Sequence, residues 1–271
     1  MANTYESDTD DLLAELTDGI LVLTMNRPER RNALSRPMLD AMSRLLEQAE
    51  ADPDVRVVVL TGAGSAFCAG GDVKAMAEGG GPDRGIDVAI HEQRLSQRAT
   101  SGRLHTMPKP TIAALPGAAA GAGFSLALAC DLRIAADNAI LTTAFAKVAF
   151  SGDYGGTYFL TQLVGTAKAR EMYFLSDRYS AEEARDLGIV NRVVGADALM
   201  EETMALARRL ADGPPIAYRY IKENLNRALA GEVMECMDLE VTHHVHSGLT
   251  EDHRNATRAF VEKRPPAFKG R

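Results

Sequence analysis

The chain of 271 residues has few cysteines and few aromatic side chains. Its three cysteines, Cys68, Cys130 and Cys236, are far apart and form no CxxC pair. Scattered cysteines are typical of reduced thiols rather than of a disulfide scaffold. The polar start, MANTYESDTDD, has no apolar signal segment. Both observations predict a cytoplasmic protein.

Positive charge and metal-binding patterns are also scarce. The chain has 30 Lys and Arg against 37 Asp and Glu, for a formal net charge of −7. This charge argues against partners such as nucleic acid or an anionic membrane surface. His243, His244 and His246 lie close together, but without an HExxH pattern or a carboxylate partner pattern they predict no metal site. An anionic ligand would need a local basic cluster or oriented backbone N–H groups.

One long segment carries no charge. Residues 111–130 read TIAALPGAAAGAGFSLALAC, about the length of the roughly 20 residues that a membrane helix needs. Pro116 and the small residues at its centre instead predict a buried strand, a turn and a buried helix. The first N–H groups of such a helix have no backbone acceptor, and Gly121, Ala122 and Gly123 leave them uncovered. With the helix dipole, this junction could bind developing negative charge.

Strands and helices alternate through the first half of the chain. The patterns predict strands at 12–16, 20–25, 55–61, 111–115, 132–136 and 140–142, and a helix capped by Ser35 and ended by Asp52-Pro53. They also predict a short helix from about Asp72, a flexible loop at 79–85 and a polar helix at 87–104. The later helices are predicted at 155–164, 167–175, 180–187, 198–211, 216–229, 232–247 and 250–263. This order predicts an α/β fold with a core over 1–197 and a helical C-terminal region over 198–271.

A second glycine-rich loop follows the predicted strand at 55–61. Residues 62–72, GAGSAFCAGGD, do not fit a dinucleotide-binding turn because Phe67 stands where Gly or Ala is needed, and they contain no Gly-Lys-Ser/Thr. The remaining feature is a small-residue turn, Ala69-Gly70-Gly71. It could aim an N–H group at the same oxygen as the Gly121-Ala122-Gly123 turn. Two ordinary strand–helix turns are the alternative.

Two other loops carry charged residues. Residues 26–34, NRPERRNAL, place Arg27, Arg30 and Arg31 together, either as a phosphate site or as a solvated loop. Asp153 lies between glycines in SGDYGGTYFL. It is either a helix N-cap or an acid–base group in a cavity. A triad of Ser125, His105 and Asp153 would lack the GxSxG elbow.

Four segments in this order resemble the crotonase superfamily, the enoyl-CoA hydratase/isomerase proteins, over about residues 12–271. They are NRPERRNALS, AFCAGGDVKAM, PKPTIAALPGAAAGAGFSLALACDLRIAA and EKRPPAFKGR. The resemblance implies a crotonase-like spiral of ββα units with a helical C-terminal region. It also implies homotrimers or dimers of trimers and an acyl-CoA thioester substrate. Coenzyme A is then part of the substrate, and no separate cofactor is expected.

The resemblance also assigns roles to particular residues. Gly71 and Ala122 match the two positions whose backbone N–H groups form the family's oxyanion hole. Arg31 matches a position that contacts CoA phosphate in some members. The CoA path matches Ala33, Ala69 and Asp72, and Lys269 resembles a basic position that reaches the CoA of a neighbouring subunit.

Departures from the hydratase pattern indicate the reaction. Ser125 and Phe145 stand where typical hydratases carry their two catalytic Glu residues. SGDYGGTYFLTQLVG instead resembles the enoyl-CoA isomerase branch, whose Asp at the position of Asp153 is the proposed acid–base residue. We therefore expect a double-bond isomerase, with Tyr154 as a helper. Phe145, Phe150 and Met76 either shape a dry acyl pocket or are core residues. A hydratase with relocated acid–base groups and a non-catalytic acyl-CoA-binding protein are the alternatives. The absence of Trp argues against an aroyl-CoA dehalogenase.

Overall fold

Ten strands form two sheets in the computed structural model, which describes residues 5–73 and 85–271. In chain order the strands are β1 (Leu12–Thr17), β2 (Ile20–Met25), β3 (Val57–Gly62), β4 (Ala66–Cys68), β5 (Thr111–Leu115), β6 (Ala118–Ala120), β7 (Leu132–Ala136), β8 (Ile140–Thr142), β9 (Tyr179–Ser180) and β10 (Arg192–Val194). The larger sheet has the order β1-β2-β3-β5-β7-β10, and the smaller has the order β4-β6-β8-β9. All neighbours are parallel except the β1–β2 and β8–β9 pairs.

The described residues form ten α-helices. They are α1 (Arg36–Ala51), α2 (Ile86–Gln97), α3 (Arg103–Thr106), α4 (Ala122–Ala129), α5 (Gly156–Leu175), α6 (Ala181–Asp186), α7 (Leu199–Ala211), α8 (Pro215–Ala228), α9 (Val233–Gly248) and α10 (Glu251–Val261). No helix in the described ranges is long and apolar enough to cross a membrane.

The ββα repeat places one strand of each unit in each sheet. The strands β3, β5 and β7 pair in the larger sheet, while the strands that follow them, β4, β6 and β8, pair in the smaller one. Helix α4 follows β6, and helix α5 follows β8. The second strand of every unit therefore ends at the same edge of the smaller sheet, because the carboxyl ends of parallel strands lie together.

Strand β3 shows why the larger sheet lies at the centre of the molecule. All six of its residues are buried, as its continuous β-branched run predicts. Val58 and Leu60 pack on one face with α1, whereas Val57 and Val59 pack on the other face with residues of α7. Helix α7 thus contributes to the core. The division of the chain at 197/198 stays a prediction.

Local signals place several boundaries correctly. The hydroxyl of Ser35 accepts the Met38 N–H at 3.2 Å and caps α1, as predicted. The two helices predicted at 155–164 and 167–175 are confirmed as the two parts of α5, which a kink at the non-helical Gly165 (φ 76°, ψ 166°) separates. The helix predicted at 87–104 is interrupted by a π-helical turn, Arg98–Gly102.

Four short strands were not predicted: β4, β6, β9 and β10. Each has two or three residues, so pairing with a neighbour defines it rather than its own sequence. The loop at 62–72 and the small-residue run after Pro116 therefore contain strands. The rest of the short helix expected from Asp72, Met76 and the loop at 79–84 lie outside the described residues.

Candidate active site

Two small-residue turns lie side by side at the carboxyl edge of the smaller sheet. Strands β4 and β6 pair in parallel, so Ala69-Gly70-Gly71 and Gly121-Ala122 leave the sheet at one edge. A β-carbon on Gly70 would lie 2.9 Å from the Ala120 carbonyl oxygen and 3.4 Å from the Ala122 nitrogen. Gly70 has φ +92°, a conformation that glycine adopts without strain. The structure brings Gly71 and Ala122 together.

Each turn presents a backbone N–H group that no acceptor in the described ranges binds: that of Gly71 and that of Ala122. Ala122 begins α4, where the first N–H groups have no acceptor within the helix. The neighbouring backbone carbonyls, by contrast, accept hydrogen bonds. The Leu34 N–H donates to the Gly70 carbonyl at 2.8 Å, and the Val73 N–H donates to the Gly71 carbonyl at 2.9 Å. Two donors on adjacent turns can bind one oxygen that carries negative charge.

The small residues of the α4 turn are required by Cys68. A β-carbon on Gly123 would lie 2.5 Å from Cys68 Cβ and 2.7 Å from its Sγ. The same sulfur accepts the Gly70 N–H at 3.4 Å. Cys68 therefore packs between both turns and keeps them in contact.

Asp153 lies on the loop between β8 and α5, with its side chain partly buried. Its Oδ1 is buried and has no hydrogen-bond partner in the described structure. Burial raises the pKa of this carboxyl from 3.8 to about 6. The interpretation of Asp153 as a helix N-cap is wrong, because Gly155 occupies the N-cap of α5 and no side chain caps that helix. A buried carboxyl without a structural partner is suited to proton transfer near neutral pH.

Packing places the Asp153 loop beside α4: the Asp153 carbonyl accepts the Gly156 N–H at 3.0 Å, and a β-carbon on Gly156 would lie 2.2 Å from the Ser125 hydroxyl oxygen. Burial raises the pKa of the Cys68 thiol to about 12; the hydrogen bond from Gly70 opposes this rise, and the negative charge of Asp153 adds to it. Because Cys68 immediately precedes the Ala69-Gly70-Gly71 turn, Asp153 acts on the same small region. The candidate donors and the candidate acid–base group therefore belong to one site.

Ser125 and Phe145 fill the neighbouring space without a carboxylate. Both are buried, and the Ser125 hydroxyl donates to the Gly121 carbonyl at 3.3 Å. The ring of Phe145 stacks on that of Tyr173, with centroids 5.9 Å apart and an interplanar angle of 1°. Sequence analysis missed Tyr173, which lies in the last turn of α5 and belongs to no motif.

The Ser/His/Asp triad is not formed. Ser125 donates to a backbone carbonyl, whereas His105 packs against the rings of Tyr158 and Phe159 at 6.3 and 5.1 Å. No His, Cys, Asp and Glu cluster in the described ranges could hold a metal ion. His243 contacts Asn224 Oδ1 at 2.5 Å and stacks on Tyr220, away from these groups.

A cavity of about 500 Å³ lies between α2 and α5, and Tyr154 and Gly155, which follow Asp153 in the chain, form part of its wall. Its walls include Ile90, Arg94, Gln97, Arg98, Tyr154 and Phe159. Gln97 Oε1 accepts the Tyr154 N–H at 3.0 Å and fixes the wall next to Asp153. Of the three residues expected to shape an acyl pocket, Phe145 is buried, Phe150 is 57% exposed, and Met76 lies outside the described residues.

The arginine-rich loop at 26–34 docks onto the Gly71 turn. The carbonyl of Arg31 accepts the Ala69 N–H at 2.9 Å, and the side chain of Arg31 is exposed. Arg27 donates to the Ala33 carbonyl at 2.6 Å and pairs with Asp72 at 3.3 Å. Arg31, Ala33, Ala69 and Asp72 are thus brought to one edge.

Asn32 holds this loop in place and was missed by sequence analysis. Its side chain is fully buried, and its Nδ2 donates to the carbonyls of Ala63 and Ala66 at 2.9 and 2.8 Å. Its Oδ1 accepts the Arg27 N–H at 2.9 Å. Only the position of Asn32 between the predicted arginine cluster and Ala33 could have suggested this role.

Comparison with known proteins agrees with this geometry. Residues 15–271 match the family described as enoyl-CoA hydratase/isomerase. The chain belongs to the enoyl-CoA hydratase/isomerase family. The Escherichia coli K12 protein named 1,2-epoxyphenylacetyl-CoA isomerase is 36% identical over 263 residues, which cover 96% of this chain and 98% of that protein.

Solved structures confirm the crotonase-like α/β fold with a C-terminal helical region. An enoyl-CoA hydratase from Polaromonas sp. JS666 superposes with a TM-score of 0.89 at 35% identity, covering 95% of this chain and 99% of that one. An enoyl-CoA hydratase from Bacillus anthracis has a TM-score of 0.89 at 33% identity, covering 96% and 100%. Relatives in this family thus carry both isomerase and hydratase names.

Lys269 is the one predicted site residue that no described contact brings to these turns. Its side chain is exposed, and its backbone N–H donates to Asp252 Oδ1 at 2.6 Å. It borders a cavity of about 310 Å³ with Arg56, Lys109 and Arg219. A role for Lys269 at the CoA of a neighbouring subunit stays a prediction.

Proposed function

We propose that this family member is an enoyl-CoA isomerase that shifts a double bond, with Asp153 as its acid–base residue. One observation carries the proposal: a partly buried Asp153, whose Oδ1 has no partner in the described structure, lies near two turns that present the N–H groups of Gly71 and Ala122. A single carboxylate suffices for this reaction, because it can take a proton from one carbon and return it to another.

The proposed reaction begins with the thioester oxygen bound by the two N–H groups. Asp153 removes a proton from C2 of a 3-enoyl-CoA, and the electron pair of that C–H bond moves toward the thioester oxygen. The resulting dienolate is stabilised by Gly71 and Ala122. Asp153 then returns the proton to C4, so the double bond moves from C3–C4 to C2–C3. Tyr154, with its N–H held by Gln97, shapes the wall beside this transfer.

The CoA portion of the substrate is proposed to follow the edge formed by the docked loops. Ala33 and Ala69 would line its path. Asp72 would hold the two loops of this edge together through its ion pair with Arg27. The exposed Arg31 would contact a phosphate. Coenzyme A is thereby part of the substrate.

A trimer or a dimer of trimers is proposed for the assembly, acting in the cytoplasm. Helix α9 leaves Val233, Met237, Val241 and Val245 at least half exposed in the single chain. Apolar surface of this kind favours contact between subunits. In such an assembly Lys269 would contact the CoA of a neighbour.

The decisive experiment compares Asp153→Asn with the unchanged protein on a panel of acyl-CoA thioesters. The panel holds a 3-enoyl-CoA, crotonyl-CoA and the 1,2-epoxyphenylacetyl-CoA named for the Escherichia coli relative. Asp153→Asn should abolish the double-bond shift while CoA binding persists. Asp137→Asn, at an exposed aspartate, is the matched control. Intact isomerisation in Asp153→Asn would refute the proposal.

Hydration is the second candidate, because the solved relatives carry hydratase names. A hydratase must activate water and also protonate C2, and Ser125 and Phe145 cannot supply a carboxylate pair for those steps. Loss of the enoyl-thioester absorbance of crotonyl-CoA would support this function. Tight CoA binding without turnover of any substrate on the panel would instead indicate a non-catalytic acyl-CoA-binding protein.

A further inference from the structure

The glycines on both sides of Asp153 pack against one side chain, that of Tyr173. A β-carbon on Gly152 would lie 3.2 Å from Tyr173 Cε1, and a β-carbon on Gly156 would lie 2.7 Å from the Tyr173 hydroxyl. Gly152 has φ +118°, which other residues rarely adopt. The backbone on each side of Asp153 is therefore shaped to the surface of this tyrosine.

Tyr173 is itself held from two directions. Its ring stacks on the buried Phe145. On the other side, a β-carbon on Gly156 would clash with the hydroxyl of Ser125 as well as with that of Tyr173, so these two hydroxyls converge on Gly156. Phe145 and Ser125 are the two positions at which the hydratase carboxylates are missing. The space between them is occupied by Tyr173.

The electrostatic coupling of Tyr173 and Asp153 agrees with this packing. Burial raises the pKa of the Tyr173 hydroxyl above its usual range; the negative charge of Asp153 raises it further, and a hydrogen bond with Ser125 opposes the rise. The thiol of Cys68 and the hydroxyl of Tyr154 also sense the charge of Asp153, and burial raises the pKa of each to about 12. All three groups are neutral at pH 6, so their own ionisation does not overlap that of Asp153.

We propose that Tyr173 is a positioning residue for Asp153: its ring fixes the loop that carries the carboxylate, and its hydroxyl, which meets that of Ser125 at Gly156, fixes the ring. The inference rests on the proposed acid–base role of Asp153. The ring determines where the carboxylate meets the substrate, because Gly152 and Gly156, on the two sides of Asp153, both pack against Tyr173. The hydroxyl holds the ring in place through its hydrogen bond with Ser125.

Two variants separate these effects. Tyr173→Leu removes the aromatic support, so kcat for the double-bond shift should fall about 10²-fold, the cost of misplacing a reacting group by about 1 Å. KM should stay near its original value because the CoA contacts lie elsewhere. Tyr173→Phe keeps the ring and removes the hydroxyl. It should retain most of kcat, because the ring still supports the loop on both sides of Asp153.

Tyr179→Phe is the matched control, since the Tyr179 hydroxyl contacts Glu171 at the surface at 3.4 Å. It should move neither kcat nor the pH profile. A folded Tyr173→Leu with unchanged kcat would overturn the role of the ring. If that variant fails to fold, Tyr173→Phe decides, and a fall of about 10²-fold in its kcat overturns the role of the ring. Asp153→Asn is assayed in parallel: if it stays active, the proposed function fails, whereas if it is inactive and both Tyr173 variants behave as the original, only the positioning role fails.

Discussion

The guanidinium of Arg27 contacts the carboxylate of Asp72 at 3.3 Å and joins two loops that lie 45 residues apart in the chain. The exposed fractions of the two side chains are 16% and 18%, so the pair is largely shielded from solvent. Arg27 also donates to the Ala33 carbonyl. The proposed CoA edge therefore depends on one side chain that itself need not touch the ligand.

Arg27→Ala should weaken both this edge and the fold. Loss of charged hydrogen bonds should lower the free energy of unfolding by about 1–3 kcal/mol, measured by urea denaturation. KM for acyl-CoA should rise more than kcat falls. Arg36→Ala, which breaks an exposed pair with Asp40, should change stability by less than about 0.5 kcal/mol. Equal effects of the two variants would contradict the role of Arg27.

The activity should depend on pH through Asp153. The carboxylate must be ionised to accept a proton, and burial raises its pKa to about 6. The kcat/KM for the double-bond shift should therefore rise with pH and level off above this value. A profile measured from pH 4.5 to 8 checks it. A limb centred near the ordinary carboxyl pKa of about 4 would contradict the assignment.

Asp153→Asn should stabilise the protein near neutral pH. The pKa of the folded state exceeds that of the unfolded chain, so the folded state binds the proton more tightly. Folding is consequently weakened as pH rises from about 4 to about 6, by at most about 3 kcal/mol. The melting temperature of Asp153→Asn should exceed that of the original protein at pH 7.5, and the gain should vanish near pH 4. Asp137→Asn, at an exposed position, is the control for the substitution itself.

Ala122→Pro should remove one proposed oxyanion donor with little change in fold. Proline is tolerated in the first turn of a helix, and Ala122 begins α4. Loss of one such donor typically costs about 10²–10³-fold in kcat. Ala122→Gly keeps the N–H and should retain activity. Near-normal kcat in a folded Ala122→Pro would show that this donor is not used.

Gly123→Ala should destabilise the site from within the core. The added β-carbon would lie 2.7 Å from Cys68 Sγ, and neither β4 nor the start of α4 can move away easily. Overpacking of this kind costs about 1–3 kcal/mol. Gly248→Ala is the control, because a β-carbon there meets nothing within 4 Å. Equal melting temperatures for Gly123→Ala and the original protein would contradict the packing of the two turns around Cys68.

Much of the fold follows from local sequence. The β-branched run of β3 and the Ser35 cap of α1 are signals that act over a few residues, and the structure confirms both. Strands β4 and β6 could not be found in this way. Each is three residues long and rich in small side chains, and it exists as a strand because it pairs with a distant segment.

The candidate site shows the same difference between residues with a local sequence signal and residues that act through distant contacts. Gly71, Ala122 and Asp153 stand out in the sequence because glycines and small residues around them are locally unusual. Asn32 and Tyr173 act through contacts with segments remote in the chain, and neither type of residue is unusual where it stands. The placement of Lys269 beside Arg56 depends on how the C-terminal tail folds back, which no local pattern encodes.

The two N–H groups at the edge of the smaller sheet have an evolutionary consequence. Because they belong to the main chain, a point mutation of a side chain leaves them in place unless it introduces proline. Ser125 and Phe145, where the resemblance implies the Glu residues of a hydratase, and Asp153, the proposed acid–base residue, are all replaceable by single substitutions around that fixed pair. Descendants of one gene can therefore inherit the means of activating a thioester unchanged while exchanging the group that moves the proton.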